Sequence, residues 1–379
     1  MVGVAIGTMA LVIVLSVFNG LEDLIRSLYS SFDPEIKITA STGKSFEVDD
    51  HFLEKINNVK GVDIVTEVIE DNAYARYRDA EMVVKIKGVG NNFIDQQRID
   101  QTIVHGELKL KKEGINYAII GRGVQYMLGI SPSNDFYTLQ LFYPKNIRPG
   151  SLSATNIYNQ RNILPGAIFA IEKQYDESYV FVPLDFAQEL MEYGNKRTSL
   201  EIKASPGANI RTLQNSLKEL LGEDFKVLNS DEQHSGLLRA IKIEKLFVFI
   251  TFSFILAVAS FNIFFSLTML AIDKKKDIAI LYAMGATDKM IRGVFLKEGA
   301  LIAFIGAASG LGLGLLICWL QQTYGLVSMG MQTSVLDAYP VKMKFTDFIY
   351  TGLSIILITF LASFRPAILA TKANIKDNL

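Results

Sequence analysis

The chain has one cysteine, Cys318, and three histidines in 379 residues, and neither residue type is placed to do its usual chemistry. A single cysteine excludes an intramolecular disulfide and leaves the redox compartment unread. His51, His105 and His234 are scattered, and none stands at metal-ligand spacing with Cys, Asp or Glu. No serine sits in a Gly-x-Ser-x-Gly turn, and no carboxylate pair carries a local sign of acid–base tuning, so nothing recommends an enzyme. A basic excess is missing too: 38 Lys and Arg oppose 39 Asp and Glu, which argues against a nucleic-acid binder. Thr42-Gly43-Lys44-Ser45 has the tail of a phosphate-binding loop, but Ile38 stands where the earlier glycine is needed and no strand-loop-helix context fits. No cofactor or metal is expected on this chain.

What the sequence has in quantity is apolar residues, 50% of the chain against 20% charged. Four stretches are long enough to cross a hydrocarbon core of ~30 Å, which takes roughly 20 helical residues: Val2–Leu21, Leu246–Ile272, Phe295–Leu320 and Phe348–Ala370. The division that follows is a first membrane helix over 1–21, an α/β domain over 22–242, a second membrane helix with a stalk over 243–272 and a loop over 273–292. A third helix over 295–320, an outer loop over 321–347, a fourth helix over 348–371 and a tail over 372–379 complete it. The first stretch reads as a retained anchor rather than a signal peptide, since it lacks a basic leader and a small-residue cleavage site. Its abrupt start suggests a clipped N-terminus.

Lysine and arginine collect on the cytoplasmic side of membrane proteins. Lys274, Lys275, Lys276, Lys289 and Arg292 follow the second helix, and Lys372 and Lys376 lie in the tail, whereas the loop after the third helix has only Lys342 and Lys344. Both termini and the 273–292 loop are therefore expected inside, with the large domain outside. In that domain, β-rich runs at 35–39, 82–87 and 179–182 alternate with helical patterns over Asp49–Asn57, Leu184–Glu192 and Asn209–Leu221. From Tyr143 to Pro165 the pattern dissolves around Pro144, Pro149, Gly150 and Pro165, which predicts a protruding loop or hairpin with a functional role.

Three helix patterns invite a role. The second apolar pattern extends from about Leu237 to Ile272, longer than a bilayer requires, and predicts an outward stalk. On it, Phe254, Val258, Phe261 and Phe265 share one face, either packed or lipid-facing or the wall of an apolar cavity for lipid-like cargo. Asn262 is expected to hydrogen-bond to a neighbouring helix, because an unpaired amide in hydrocarbon is costly. Gly306, Gly310 and Gly314 recur every fourth residue in the third helix, a spacing that admits close helix packing, and Gly3 and Gly7 suggest the same for the first. In the inner loop, Ile278, Ile280, Leu281 and Met284 would give a short helix an apolar surface suited to a partner's groove.

That loop, Asp273-Lys-Lys-Lys-Asp-Ile-Ala-Ile-Leu-Tyr-Ala-Met-Gly-Ala-Thr287, resembles the segment between the second and third membrane helices of FtsX/MacB-type permeases. Leu238-Arg-Ala-Ile-Lys-Ile-Glu-Lys245, Ala257-Val-Ala-Ser-Phe-Asn-Ile263 and Asp337-Ala-Tyr-Pro-Val341 are similar to the lipoprotein-releasing permeases LolC and LolE. The resemblance implies the type VII ABC transporter permease architecture, with four membrane helices and the α/β domain inserted between the first two. It implies a second permease subunit, identical or not, and a LolD-like cytoplasmic ATPase that binds the ATP and Mg. Lys276, Asp277, Ile278, Ile280, Leu281, Met284, Gly285, Ala286 and Thr287 would form the ATPase-coupling segment, although Tyr282 stands where the family often has a basic residue. Lipoprotein cargo would enter a cavity walled by the first two helices and leave on a periplasmic LolA-like carrier, recruited by a hook at the place of Pro144, Arg148, Pro149 and Pro165. A MacB-like exporter and an FtsX-like activator of a cell-wall hydrolase are the alternatives. The former is disfavoured by the lack of a fused ATPase domain, the latter by the size of the outer domain and the Lol-like runs.

Overall fold

The structure, a computed structural model, describes residues 2–131, 136–145, 157–328 and 338–371. It divides into two compact units, one of Arg26–Ser235 and one of Met1–Ile25 with Gly236–Leu379. Along the chain, α1 (Val2–Phe32) is followed by β1 (Ile36–Ala40), β2 (Phe46–Glu47), α2 (Asp50–Asn57) and a long hairpin of β3 (Val62–Tyr77) and β4 (Ala80–Val89). Then come β5 (Ile103–Gly106), β6 (Lys111–Lys112), β7 (Ile115–Gly121), α3 (Arg122–Leu128), β8 (Leu139–Pro144) and β9 (Tyr158–Phe169). The domain closes with α4 (Lys173–Asp176), β10 (Tyr179–Pro183), α5 (Leu184–Met191), β11 (Lys196–Arg197), β12 (Ser199–Ala204), α6 (Ile210–Leu221), β13 (Phe225–Asn229) and α7 (Ser230–Gln233). The remaining helices are α8 (Ser235–Asp273), α9 (Lys275–Ala283), α10 (Asp288–Tyr324) and α11 (Phe345–Thr371).

The domain is built on an eleven-stranded sheet in the order β13-β1-β12-β3-β4-β10-β7-β9-β5, with β6 beside β7 and β8 joining β3 to β9. Most pairings are antiparallel, but β10 runs parallel to β4 and β7 to β9, so the sheet is mixed. One face packs Ile86, Ile120, Val180 and Val182 against α3 and α5, and the other packs Phe93, Phe169 and Phe181. A third core sets α2 and α6 on β1, β12 and β13 through Ile56, Leu213 and Leu217. The helices begin where capping chemistry places them: the Asp49 carboxylate accepts from the Phe52 amide, and the Asn209 amide oxygen accepts from Arg211 and Thr212.

An ion cluster with Lys87 and Glu201 fully buried lies on the sheet. Glu201 lies 2.7 Å from Lys87 and also pairs with Arg98, whose guanidinium donates to the Phe32 carbonyl. Burial alone would raise the Glu201 carboxyl, but the two cations hold it at about 2.

The membrane unit contains four helices of spanning length and hydropathy among the described residues. α1 is the most enclosed of them and α8 the least. α1 is gripped on one side by α10, where a Cβ on Gly310 would fall 2.4 Å from the Ala5 carbonyl oxygen, and on the other by α8, where one on Gly7 would meet Leu256 at 2.7 Å. One expectation changes here. The first helix continues past Leu21 to Phe32, because Leu24, Ile25, Leu28 and Phe32 keep the helical spacing after the hydropathy has fallen. On either side of residues 146–156, which lie outside the described residues, Leu139–Pro144 pairs antiparallel with Tyr158–Ile163, the two arms of the expected hairpin. Residues 372–379, including Lys372 and Lys376, lie outside the described residues.

Candidate functional site

The polar loop between α8 and α10 folds as α9 and a tight stop. Lys274 caps it and reaches Asp277 at 3.0 Å. The helix ends at Met284, and Gly285 takes φ +94°, a left-handed conformation that lets the Ala286 amide bond back to the Leu281 carbonyl at 3.0 Å. Thr287 then caps α10 in extended conformation. The Tyr282 hydroxyl donates to the Asp288 carboxylate at 2.8 Å, and burial with that carboxylate pushes the phenol up to about 12.

These contacts sort the predicted coupling residues into two sets. Ile278, only 4% exposed, packs into the core of the membrane unit that also holds Ile291 and Phe295. It anchors α9 and offers nothing to a partner, contrary to the expectation that it lies on the docking face. Ile280 and Met284 are 59% and 72% exposed, and Leu281 is exposed beside them. Lys276, Asp277, Gly285 and Thr287 are exposed and Ala286 is half-buried. Met290, on the first turns of α10, is exposed as well, and α10 begins at Asp288, ahead of the expected start at Phe295.

On α8 the two faces are sharply different. Leu256, Ser260, Ile263, Leu267 and Ala271 recur every three or four residues and are buried. Phe254, Val258, Phe261 and Phe265 share the opposite side and stand exposed, Phe254 at 70% and Phe265 at 64%. Asn262 lies on the flank of that exposed face, and its side chain makes no hydrogen bond among the described residues. The expected bond to a neighbouring helix would therefore have to reach a helix of another subunit.

Gly306, Gly310 and Gly314 are all buried on α10, and a Cβ on Gly314 would press on Val12 of α1 at 3.2 Å. At another level of the same unit, Lys245 of α8 donates to the side-chain Oδ1 of Asn19 on α1 at 2.7 Å and lies 3.0 Å from the Asp347 carboxylate of α11, and the Asn19 side-chain amide donates to Asp347 at 2.6 Å. This three-helix cluster escaped sequence reasoning because its members are 328 residues apart at the extreme.

Of the four hook residues, two lie among the described residues, on different strands. Pro144 is exposed at the end of β8, whereas Pro165 is buried in β9 beside Ala118 of β7 and cannot touch a carrier. Arg148 and Pro149 lie outside the described residues. Lys44 of the Gly-Lys-Ser run binds the Asp71 carboxylate at 2.6 Å. His234 is 2.5 Å from Asp33 and stacked on Tyr29, and no group of metal-ligating side chains occurs among the described residues.

Comparison with known proteins meets this geometry at both units. Residues 1–220 match the MacB-like periplasmic core domain and residues 249–375 the FtsX-like permease C-terminal region. The lipoprotein-releasing system transmembrane protein LolC of Haemophilus influenzae is 26% identical over 98% of this chain and 89% of its own. LolE of the same organism is 23% identical over 98% of this chain and 91% of its own, and LolC of Neisseria meningitidis 22% identical over 98% and 90%. The chain belongs to the family of FtsX-like permeases with a MacB-like periplasmic core domain. It is an ABC-type permease, a multi-pass inner-membrane protein with a periplasmic domain.

Proposed function

We infer that this chain is the permease subunit of a complex that spends ATP, bound with Mg by a separate LolD-like ATPase, to release lipoproteins from the inner membrane to a LolA-like periplasmic carrier. The observation that carries the reading is the unpacked aromatic face of α8. Transferring one acyl chain of about 14 carbons into water costs on the order of 10 kcal/mol at ~0.8 kcal/mol per methylene. A lipoprotein's chains therefore leave the bilayer only along a protein surface that shields them. Phe254, Val258, Phe261 and Phe265 supply such a surface, and a second permease subunit, a copy or a homologue, closes it from the other side in the type VII arrangement.

The exposed apolar patch of α9 supports a docked ATPase. Ile280, Leu281 and Met284 enter a groove on the partner while Lys276 and Asp277 line its rim, and Gly285, Ala286 and Thr287 hold the turn into α10. α8, at 39 residues or about 58 Å, is longer than the hydrocarbon core and has the reach to carry motion from that dock to the periplasmic side. The names borne by the relatives, LolC and LolE, favour lipoprotein over peptide or small-molecule cargo.

A photocrosslinking residue at Phe254 or Phe261 in cells tests the reading. Lipoprotein should be captured at both positions and lost when the ATPase is allowed to turn over. Capture of bulk phospholipid alone would overturn it.

A further inference from the structure

We propose that the groove between α8 and α11 binds an anionic phospholipid of the outer leaflet, its phosphate held by Lys242 and Lys245 and one acyl chain laid between the two helices. The cavity is about 670 Å³. Leu15, Leu246, Phe249, Leu353 and Leu357 make its lining mostly apolar, the Ser354 hydroxyl among them is satisfied by the Tyr350 carbonyl, and the charged groups, Lys242, Lys245 and Asp347, lie together.

The charge in that group is unbalanced. Asp347 is committed to Lys245, 3.0 Å away, and to the Asn19 amide. Lys242 sits three residues before Lys245 on the same face of α8, is exposed, and makes no ion pair or hydrogen bond among the described residues. Glu244 is two residues from Lys242 and therefore on a different face. One positive charge is left over, beside the Lys245–Asp347 pair.

The depth also fits a lipid. A second cavity of about 370 Å³, lined by Phe261, Phe264, Leu361 and Arg365, opens between the same two helices toward the inner side. From Asp347 to Arg365, α11 rises about 27 Å at 1.5 Å per residue, close to the ~30 Å hydrocarbon thickness. Cationic groups therefore stand at two levels along the α8–α11 pair, about one hydrocarbon thickness apart. A net-negative headgroup matches the surplus at Lys242, where a zwitterionic one does not. This site stands whether or not the cargo reading above is right.

The test is native mass spectrometry of the full chain released from nanodiscs of phosphatidylethanolamine with graded phosphatidylglycerol. One phosphatidylglycerol per chain should be retained over phosphatidylethanolamine. Lys242→Gln should weaken that retention roughly fivefold, the effect of about 1 kcal/mol for one cation at the membrane surface, while Lys242→Arg keeps it. Leu353→Trp with Leu357→Trp, which fills the apolar part and leaves the charges, should abolish it. Equal retention of the two lipids by the unaltered chain, or no loss in either the Gln or the Trp variant, overturns the proposal. So does efficient disulfide crosslinking between copies carrying Leu353→Cys, which would make the groove a protein interface.

Discussion

Single residues set the tolerances of both units. Gly310 and Gly312 are two residues apart on α10, yet an added Cβ meets the Ala5 carbonyl oxygen at 2.4 Å at the first and nothing within 4 Å at the second. Gly310→Ala should cost about 1–3 kcal/mol through forced separation of α1 and α10. Gly312→Ala should be neutral or slightly stabilising. Thermal midpoints of the two variants in detergent compare them directly, and equal midpoints would contradict the close approach. In the domain, the depressed Glu201 carboxyl makes stability depend on acid. Its contribution is complete above the ordinary carboxylate pKa near 4.5 and is lost as pH falls toward about 2. That window is worth on the order of 3 kcal/mol at 1.36 kcal/mol per pH unit. Denaturant midpoints of the domain's unfolding should therefore fall between pH 4.5 and 2, and Glu201→Gln, already destabilised by the unpaired Lys87, should lack that slope. Asn262→Leu should weaken association of two permease subunits by about 1 kcal/mol, roughly fivefold by in-membrane fluorescence transfer; no change would mean that Asn262 faces water.

At the scale of elements, α9 divides its labour between an anchor and an exposed patch. Ile280→Asp with Met284→Asp should abolish recovery of the ATPase in a pull-down while leaving the fold of the membrane unit intact. Ile278→Asp should instead destabilise the unit itself, because that side chain is inside it. Undiminished ATPase recovery with the first pair would remove α9 from the coupling role. The helices were legible from the sequence because their periodicity and caps are local: Asp49, Pro183 and Asn209 stand where the expected helices begin. Two kinds of feature were not. Pro165 looked like a loop marker, yet it sits in β9 where the register with β7 shifts between Ala118 and Ile119, a bulge that tolerates a missing amide donor. Ile278 looked like its apolar neighbours on α9, and only the packing of Ile291 and Phe295 around it assigns it to the interior. The Lys245–Asp347–Asn19 cluster was illegible for a related reason, since three distant helices have to be brought together before it exists.

On the scale of the whole molecule, the proposed activity is a matter of coupling between this chain and other subunits. Its family supplies the expectation of an ATPase and a second permease, and the exposed patches on α8 and α9 offer surfaces on which a cargo and a motor can act. The most direct measurement is reconstitution of the chain, its permease partner and its ATPase in proteoliposomes loaded with a triacylated lipoprotein, followed by assay of lipoprotein transferred to a soluble periplasmic carrier. The account predicts transfer that requires ATP and falls at least tenfold when Phe261 and Phe265 are replaced by Asp, with ATPase binding unchanged. ATP hydrolysis at full rate with no lipoprotein appearing on the carrier would contradict it.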